Sequence, residues 1–198
     1  VLDTTRQGRP TSTRSTKGLS LEEFILETTR IPQAELKMAQ LEDLFHRLIV
    51  PQALIEQHTR FSDDDYNRNL LCRTPRFDML VLGWRQGQIS TIHDHLDSRN
   101  CTRVMSGTLQ QRLFRAVDVD QNGRTAVELI EEENVEAGAR TRLDAGGIHQ
   151  MGNVSPENLV TLHIYSAPLS EITVYEPETQ SSFKKRLRYS LEDEFASV

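Results

Sequence analysis

His93-Asp94-His95 sets two imidazoles one residue apart, and such a pair points the same way only on a β-strand, where alternate side chains share a face. Asp94 then turns to the opposite face. His149 follows Ala145-Gly146-Gly147 and stands four residues before Asn153. Brought in on another strand, it makes the pair into a compact site of three nitrogens. Nitrogen donors suit Fe, Zn, Ni or Cu, and spacing does not choose among them. Taken alone, the His pair also fits a solvent-facing strand, and a lone buried histidine is more often a hydrogen-bonded core residue than a ligand.

Elements that place these residues can be read from hydrophobic period and turn chemistry. Ser20-Leu21-Glu22-Glu23 is a capping box opening a helix with Phe24 and Ile25 on its apolar side. Pro32 suits the first turn of a second helix, in which Leu41, Leu44, Phe45 and Leu48 recur at helical spacing. A third short helix is expected across Ala53–Gln57. From about Phe77 the period changes, and short strands are expected at Met79–Leu82, Thr91–His95, Thr102–Met105, Thr108–Phe114, Val127–Ile130, Leu159–Ser166 and Ile172–Tyr175. Gln121-Asn122-Gly123 reads as a hairpin turn, and Glu131-Glu132-Glu133 as a solvated edge. Many short strands argue for a barrel or sandwich over βαβ units. We therefore expect one domain over 1–198: a loose arm at 1–19, a helical portion at 20–60 packed beside a β-barrel at 75–178, and a polar segment at 180–198 along the surface.

Size and composition agree with one core. The chain has 198 residues, 37% hydrophobic and 26% charged, with a formal net charge of −6. Basic residues cluster at Arg6, Arg9, Arg14 and Lys17 and at Lys184, Lys185, Arg186 and Arg188. Neither cluster carries a nucleic-acid motif or interleaved aromatics, so no nucleic-acid partner is expected. No apolar run approaches the ~20 residues that cross a bilayer, and the first residues do not form a secretory signal. Cys72 and Cys101 lack metal-binding spacing. They fit a reducing compartment and a cytoplasmic protein, although one disulfide between them is compatible with the sequence. A small, possibly charged metabolite is the expected partner, and the chain is expected to be a monomer or small homo-oligomer.

Wider spacing around the histidines resembles the cupin superfamily. Gly87, five residues, His93-Asp94-His95, four residues, Asn100, six residues, Gly107 resembles its first motif. Gly138, five residues, Asp144, one residue, Gly146, two residues, His149, three residues, Asn153 resembles the second. Two positions depart: Asn100 stands where many cupins ligate through glutamate, and Asp144 where proline is common. Asn100 is a poor anionic ligand, which leaves His93, His95 and His149 as the metal ligands, the ion's charge uncompensated, and coordination positions open to a chelating anion.

A narrower likeness rests on Tyr66-Asn67-Arg68-Asn69, Gly83-Trp84, Ser90–His95 with Asp97-Ser98, His149 with Asn153-Val154-Ser155, and Leu162-His163-Ile164-Tyr165-Ser166. Together these resemble the cysteine dioxygenase family over roughly residues 60–175. The resemblance implies a mononuclear non-haem Fe(II) centre on His93, His95 and His149, with L-cysteine and O2 as substrates and cysteine sulfinic acid as product. It implies that Arg68 binds the substrate carboxylate, with Tyr66 near that end of the pocket. Tyr165 would bond the substrate or the oxidised sulfur, and His163 would orient Tyr165 without binding metal. Trp84 reads as packing behind the site. In the animal enzymes the residue at the place of Asn100 is a cysteine crosslinked to the tyrosine. Here Cys101 falls one residue late and should point away from Tyr165, so no crosslink is expected. Asn100 is instead expected as a polar side chain near the metal that contacts substrate. Alternative readings are an iron cupin oxidising another small thiol such as 3-mercaptopropionate, one taking cysteine to a different product, a cupin isomerase or decarboxylase, and a non-enzymatic metal- or small-molecule-binding cupin.

Overall fold

Helix α1 (Leu21–Arg30) begins where its capping box dictates. The Ser20 hydroxyl accepts from the Glu23 N–H at 3.2 Å, and the Glu23 carboxylate accepts from the Ser20 N–H at 2.9 Å. The computed structural model describes residues 17–118 and 125–189, so the Gln121–Gly123 turn and Arg6, Arg9 and Arg14 lie outside the described residues. The loose arm ends sooner than expected: Leu19 is buried, and its N–H donates to the Arg47 carbonyl. Pro32 opens only a single turn. Leu36 then enters the core, and α2 (Met38–Arg47) starts after it, followed by α3 (Gln52–His58).

Strands follow in antiparallel order. They are β1 (Asn67–Arg73), β2 (Asp78–Trp84), β3 (Ile92–Asp94), β4 (Arg99–Ser106), β5 (Thr108–Asp118) and β6 (Thr125–Glu136). Then come β7 (Arg140–Leu143), β8 (Ile148–Asn153), β9 (Leu159–Ser166), β10 (Glu171–Glu176) and β11 (Ser181–Arg186). They form a five-stranded sheet, β1-β2-β9-β4-β7, and a six-stranded sheet, β11-β10-β3-β8-β5-β6. An antiparallel β core with helices beside it is as expected, but strand pairing among the described residues does not close it into a barrel. One open edge is β6, whose Glu131, Glu132 and Glu133 are exposed, and charged edges resist further pairing. The β region is also wider than 75–178, since β1 precedes it and β11 follows it. The polar segment after 180 thus contains a strand paired with β10.

The two faces of the five-stranded sheet bury different things. On β9, Val160, Leu162 and Ile164 turn outward and join Phe24, Leu41, Phe45 and Ile55 of the helices in one apolar cluster. Phe24 meets Phe77 edge-on at 5.3 Å. On β2, Leu80, Leu82 and Trp84 turn inward and pack between the sheets with Val104, Leu109 and Met151. Strands buried on both faces read as unbroken apolar runs rather than alternation, as Met79-Leu80-Val81-Leu82 does. Gly107, at φ +80 between β4 and β5, takes a turn conformation in which a Cβ would sit 3.0 Å from the Asn158 carbonyl oxygen.

Candidate metal centre and substrate pocket

His93 on β3 pairs in register with His149 on β8, and directly opposed residues of an antiparallel pair share a face. His95 lies one residue past the end of β3. Its Nε2 stands 3.1 Å from His93 Nε2 and 3.2 Å from His149 Nε2, and one ligand atom from each residue fits within 4.8 Å. The His93 Nδ1 is 2.8 Å from the Thr91 carbonyl, which only accepts, so the ring proton sits on Nδ1 and Nε2 presents a lone pair. Burial pushes His93 down to about 4 and holds His95 and His149 well below the ordinary imidazole value, with neighbouring imidazoles adding to the shift. Neutral imidazole is the ligating form. The Nδ1 atoms of His95 and His149 are buried without hydrogen-bond partners, so the polar reach of both rings is toward the common point. A cation there would satisfy all three Nε2 atoms, and the residues fit a metal ion.

Asp94, between the first two histidines, turns away as alternation requires and anchors them. Its Oδ1 accepts from the Leu96 and Thr173 N–H groups, and its Oδ2 accepts from the Tyr175 hydroxyl at 2.8 Å. Burial, followed by this bond, pushes Tyr175 up to about 12. Leu96 adopts φ +54, and its carbonyl accepts from Gly146 N–H at 2.7 Å, tying the end of β3 to the loop before His149.

The opposite wall comes from the five-stranded sheet and lines a pocket with the histidines. Arg68 on β1 is buried and lines it, with its guanidinium 5.6 Å from the Tyr189 ring centre. Its charge helps depress His93 and His163. Tyr66 stacks on Trp84 with centroids 4.1 Å apart and planes at 15°. Tyr189 reaches the Asp78 carboxylate, which also accepts from Arg73 and from the Leu169 N–H. The chain after β11 therefore puts Leu187 in the pocket wall and Tyr189 beside Arg68. The Tyr165 ring stands edge-on to His95 at 5.0 Å, and burial raises its phenol above the ordinary value, so it is a neutral hydroxyl at neutral pH.

Behind Tyr165 runs a line of polar side chains. The Tyr165 hydroxyl and Thr102 Oγ1 each lie 3.1 Å from His163 Nδ1. His163 Nε2 lies 2.8 Å from Thr161 Oγ1, which accepts from Trp84 Nε1–H at 2.9 Å. His163 stands outside the three-nitrogen cluster. Asn100 is not among the residues that line the pocket. It sits across from Tyr165 in the β4–β9 register, fully buried, donating to the Ile164 carbonyl at 3.1 Å and accepting from Thr102 at 2.9 Å. Both ends of its amide are taken by this sheet. Cys101 faces the other way, its Sγ 3.7 Å from Met38 Sδ, and both cysteines are buried free thiols. Asn153 is structural: it donates to the Trp84 and Glu157 carbonyls and holds the turn after β8. Thr161 and Thr102 went unread in the sequence. Thr161 continues the His163–Tyr165 alternation by one step, whereas nothing local marks Thr102, which reaches His163 only through strand pairing.

A family model described as cysteine dioxygenase type I matches residues 33–178. The chain belongs to this family. It is 32% identical over 125 residues to cysteine dioxygenase type 1 of Bos taurus, covering 62% of this chain and 61% of that protein. The same protein of Homo sapiens is 30% identical over the same shares. The match thus spans about three fifths of the length of these curated relatives. Among solved structures, a double-stranded β-helix domain protein of Klebsiella pneumoniae aligns at TM-score 0.47 and 19% identity, covering 60% of this chain and 83% of that one. The family match takes in β1 to β10, and with them every residue of the three-histidine cluster and the line behind Tyr165. No helix among the described residues is long and apolar enough to cross a membrane.

Proposed function

We propose that this chain is a mononuclear iron(II) thiol dioxygenase, on a cupin-type double-stranded β-helix, that converts L-cysteine and O2 to cysteine sulfinic acid. The observation that carries the reading is the convergence of three neutral histidines and a buried arginine on one pocket. Curated relatives named cysteine dioxygenase type 1 support it. His93, His95 and His149 would hold iron(II), which would supply redox chemistry between a thiolate and dioxygen. Each residue then has a task. Neutral imidazoles leave the positive charge uncancelled, which selects an anionic sulfur. The Arg68 fork holds a carboxylate bidentately and so orients the thiol. Tyr66 stacked on Trp84, with Leu82 and Ile172, keeps the pocket wall apolar and excludes water. Tyr165, a neutral phenol beside His95, donates a hydrogen bond to substrate oxygen. A free-thiol substrate and two free cysteines fit a reducing compartment, and we place the reaction in the cytoplasm.

The test is oxygen uptake by protein reconstituted anaerobically with iron(II), using L-cysteine, 3-mercaptopropionate and cysteamine, with mass spectrometry of the product. Fastest turnover is expected with L-cysteine, and its product should carry two added oxygen atoms. Faster uptake with 3-mercaptopropionate would reassign the substrate, and a different oxygen count would reassign the product. Stoichiometric zinc with no thiol-dependent uptake would remove the dioxygenase reading.

A further inference from the structure

We infer that Asn100 and Thr102 are a positioning pair that fixes His163 as its Nδ1–H tautomer, so that Tyr165 accepts from His163 and keeps its own proton for the pocket. The catalytic consequence rests on the dioxygenase reading; the tautomer does not.

The direction of each bond follows from two ends that cannot reverse. At one end the Ile164 carbonyl can only accept, so Asn100 presents its NH2 there and its Oδ1 to Thr102. The Thr102 hydroxyl spends its single proton on that Oδ1 and can only accept from His163 Nδ1. At the other end Trp84 Nε1–H can only donate, so Thr161 Oγ1 already accepts once and keeps its own proton free to donate to His163 Nε2. His163 is neutral, since burial holds it down to about 3, and it has one ring proton to place. The Asn100 end assigns that proton to Nδ1, where Thr102 Oγ1 and the Tyr165 oxygen each wait at 3.1 Å, and the Trp84 end accommodates it.

The opposite tautomer fits poorly. Thr161 would accept twice, its proton losing the His163 ring. Thr102 and Tyr165 would compete for one Nδ1 lone pair, and Asn100 Oδ1 would lose its donor whenever Thr102 won. Asn100, Thr102, Thr161, His163 and Tyr165 are all buried, so no bulk water repairs such a loss. Asn100 thus acts on the pocket through a chain of bonds rather than by touching substrate.

Long-range proton–nitrogen correlation spectra of isotope-labelled histidine report the tautomer directly, in the 198-residue chain loaded with zinc(II) as a diamagnetic ion. The unsubstituted protein should show His163 as Nδ1–H. Asn100→Leu frees the Thr102 hydroxyl to donate to Nδ1 and should move His163 toward Nε2–H. Adding Thr102→Val removes that hydroxyl and should return His163 to Nδ1–H, a reversal that general loosening of the core does not produce. In the iron(II) protein, Asn100→Leu should lower kcat about tenfold with KM within about twofold. His163 found as Nε2–H in the unsubstituted protein overturns the inference even if neither variant folds. So does a folded Asn100→Leu with an unchanged tautomer. The expected tautomers in a protein without thiol-dependent oxygen uptake would sustain the pairing and remove the dioxygenase reading alone.

Discussion

On the six-stranded sheet, His95 and His149 are buried with Nδ1 atoms that meet no hydrogen-bond partner, and their Nε2 atoms crowd His93 and each other at 3.1 and 3.2 Å. On the five-stranded sheet, an equally buried histidine, His163, has partners at both ring nitrogens within 3.1 Å. The contrast separates two uses of a buried imidazole. A ring whose polar demands are met by its own sheet is finished when the chain folds. One whose nitrogen faces other nitrogens is finished only when something positive arrives between them. The pocket lies where these two kinds of wall meet.

Removing one residue from each wall gives the largest test of that contrast. His149→Ala should reduce iron content to background by elemental analysis. Thiol-dependent oxygen uptake should fall by more than the ~100-fold that loss of a partner behind a metal ligand costs. His163→Ala should keep its iron, because His163 lies outside the three-nitrogen cluster. Equal loss of metal in the two variants would erase the distinction.

Acid provides the next largest effect. His93 at about 4 and His163 at about 3 bind protons later in the folded protein than in the unfolded chain, where imidazole titrates near 6.5. Their stabilising contribution is complete above pH ~6.5 and is lost as pH falls from there toward those folded values, at up to about 1.4 kcal/mol per pH unit for each group. Urea midpoints of the metal-free protein should therefore fall steeply between pH 6.5 and 4. Metal protects only the His93 side, since bound imidazole must stay deprotonated. A midpoint that is flat across this window would contradict neutral burial of the histidines.

How much of this was legible in the sequence depended on whether the signal was local. His93 and His95 were readable because one residue of spacing on a strand places both rings on one face. Arg68, Tyr66 and Tyr165 came from the family likeness, and all three line the pocket. Asn100 was legible as a position but not in its bonding. Its spacing put it at a ligand position, but its environment is set by Thr102 and by the backbone of β9, sixty-four residues further on. Strands β7 and β11 were missed because Arg140–Leu143 and Ser181–Arg186 are short, polar and largely exposed, so they lack the apolar alternation that marks a half-buried strand. β8 was read as a strand bringing in His149 after Ala145-Gly146-Gly147, but without bounds. The barrel is met in part: short strands announce an antiparallel core, which forms two sheets, whereas closure depends on edge pairing that no local pattern encodes.

Arg68 belongs to the satisfied wall by position and to the open wall by task, so its replacement sharpens the boundary. Arg68→Ala should weaken L-cysteine turnover by roughly 2–3 kcal/mol in kcat/KM, about 30- to 150-fold, the cost of a lost charge-assisted pair. Cysteamine, which has no carboxylate, should be nearly unaffected. Iron content should not change. Equal losses for both thiols would mean that Arg68 supports the pocket structurally and does not read the carboxylate.

The smallest effect tests the two faces of a single strand. Asn100 and Cys101 are neighbours on β4, one facing the polar line behind Tyr165 and the other the apolar cluster beneath the helices. Burial pushes the Cys101 thiol up to about 12, so it is protonated, unreactive and packed as a small hydrophobe. Cys101→Ala removes one heavy atom and its contact with Met38, and should cost about 1 kcal/mol in urea unfolding by leaving a small cavity. Oxygen uptake and the His163 tautomer should match the parent protein, because a side chain on the outer face has no bond to the inner one. Were Cys101 crosslinked to Tyr165, the parent would lack the two hydrogens lost in forming the link, so the same substitution would lower the mass of the intact chain by less than the side-chain difference and alter turnover. The geometry forbids that link: Cys101 is in register with Ile164, and the residue opposite Tyr165 is Asn100.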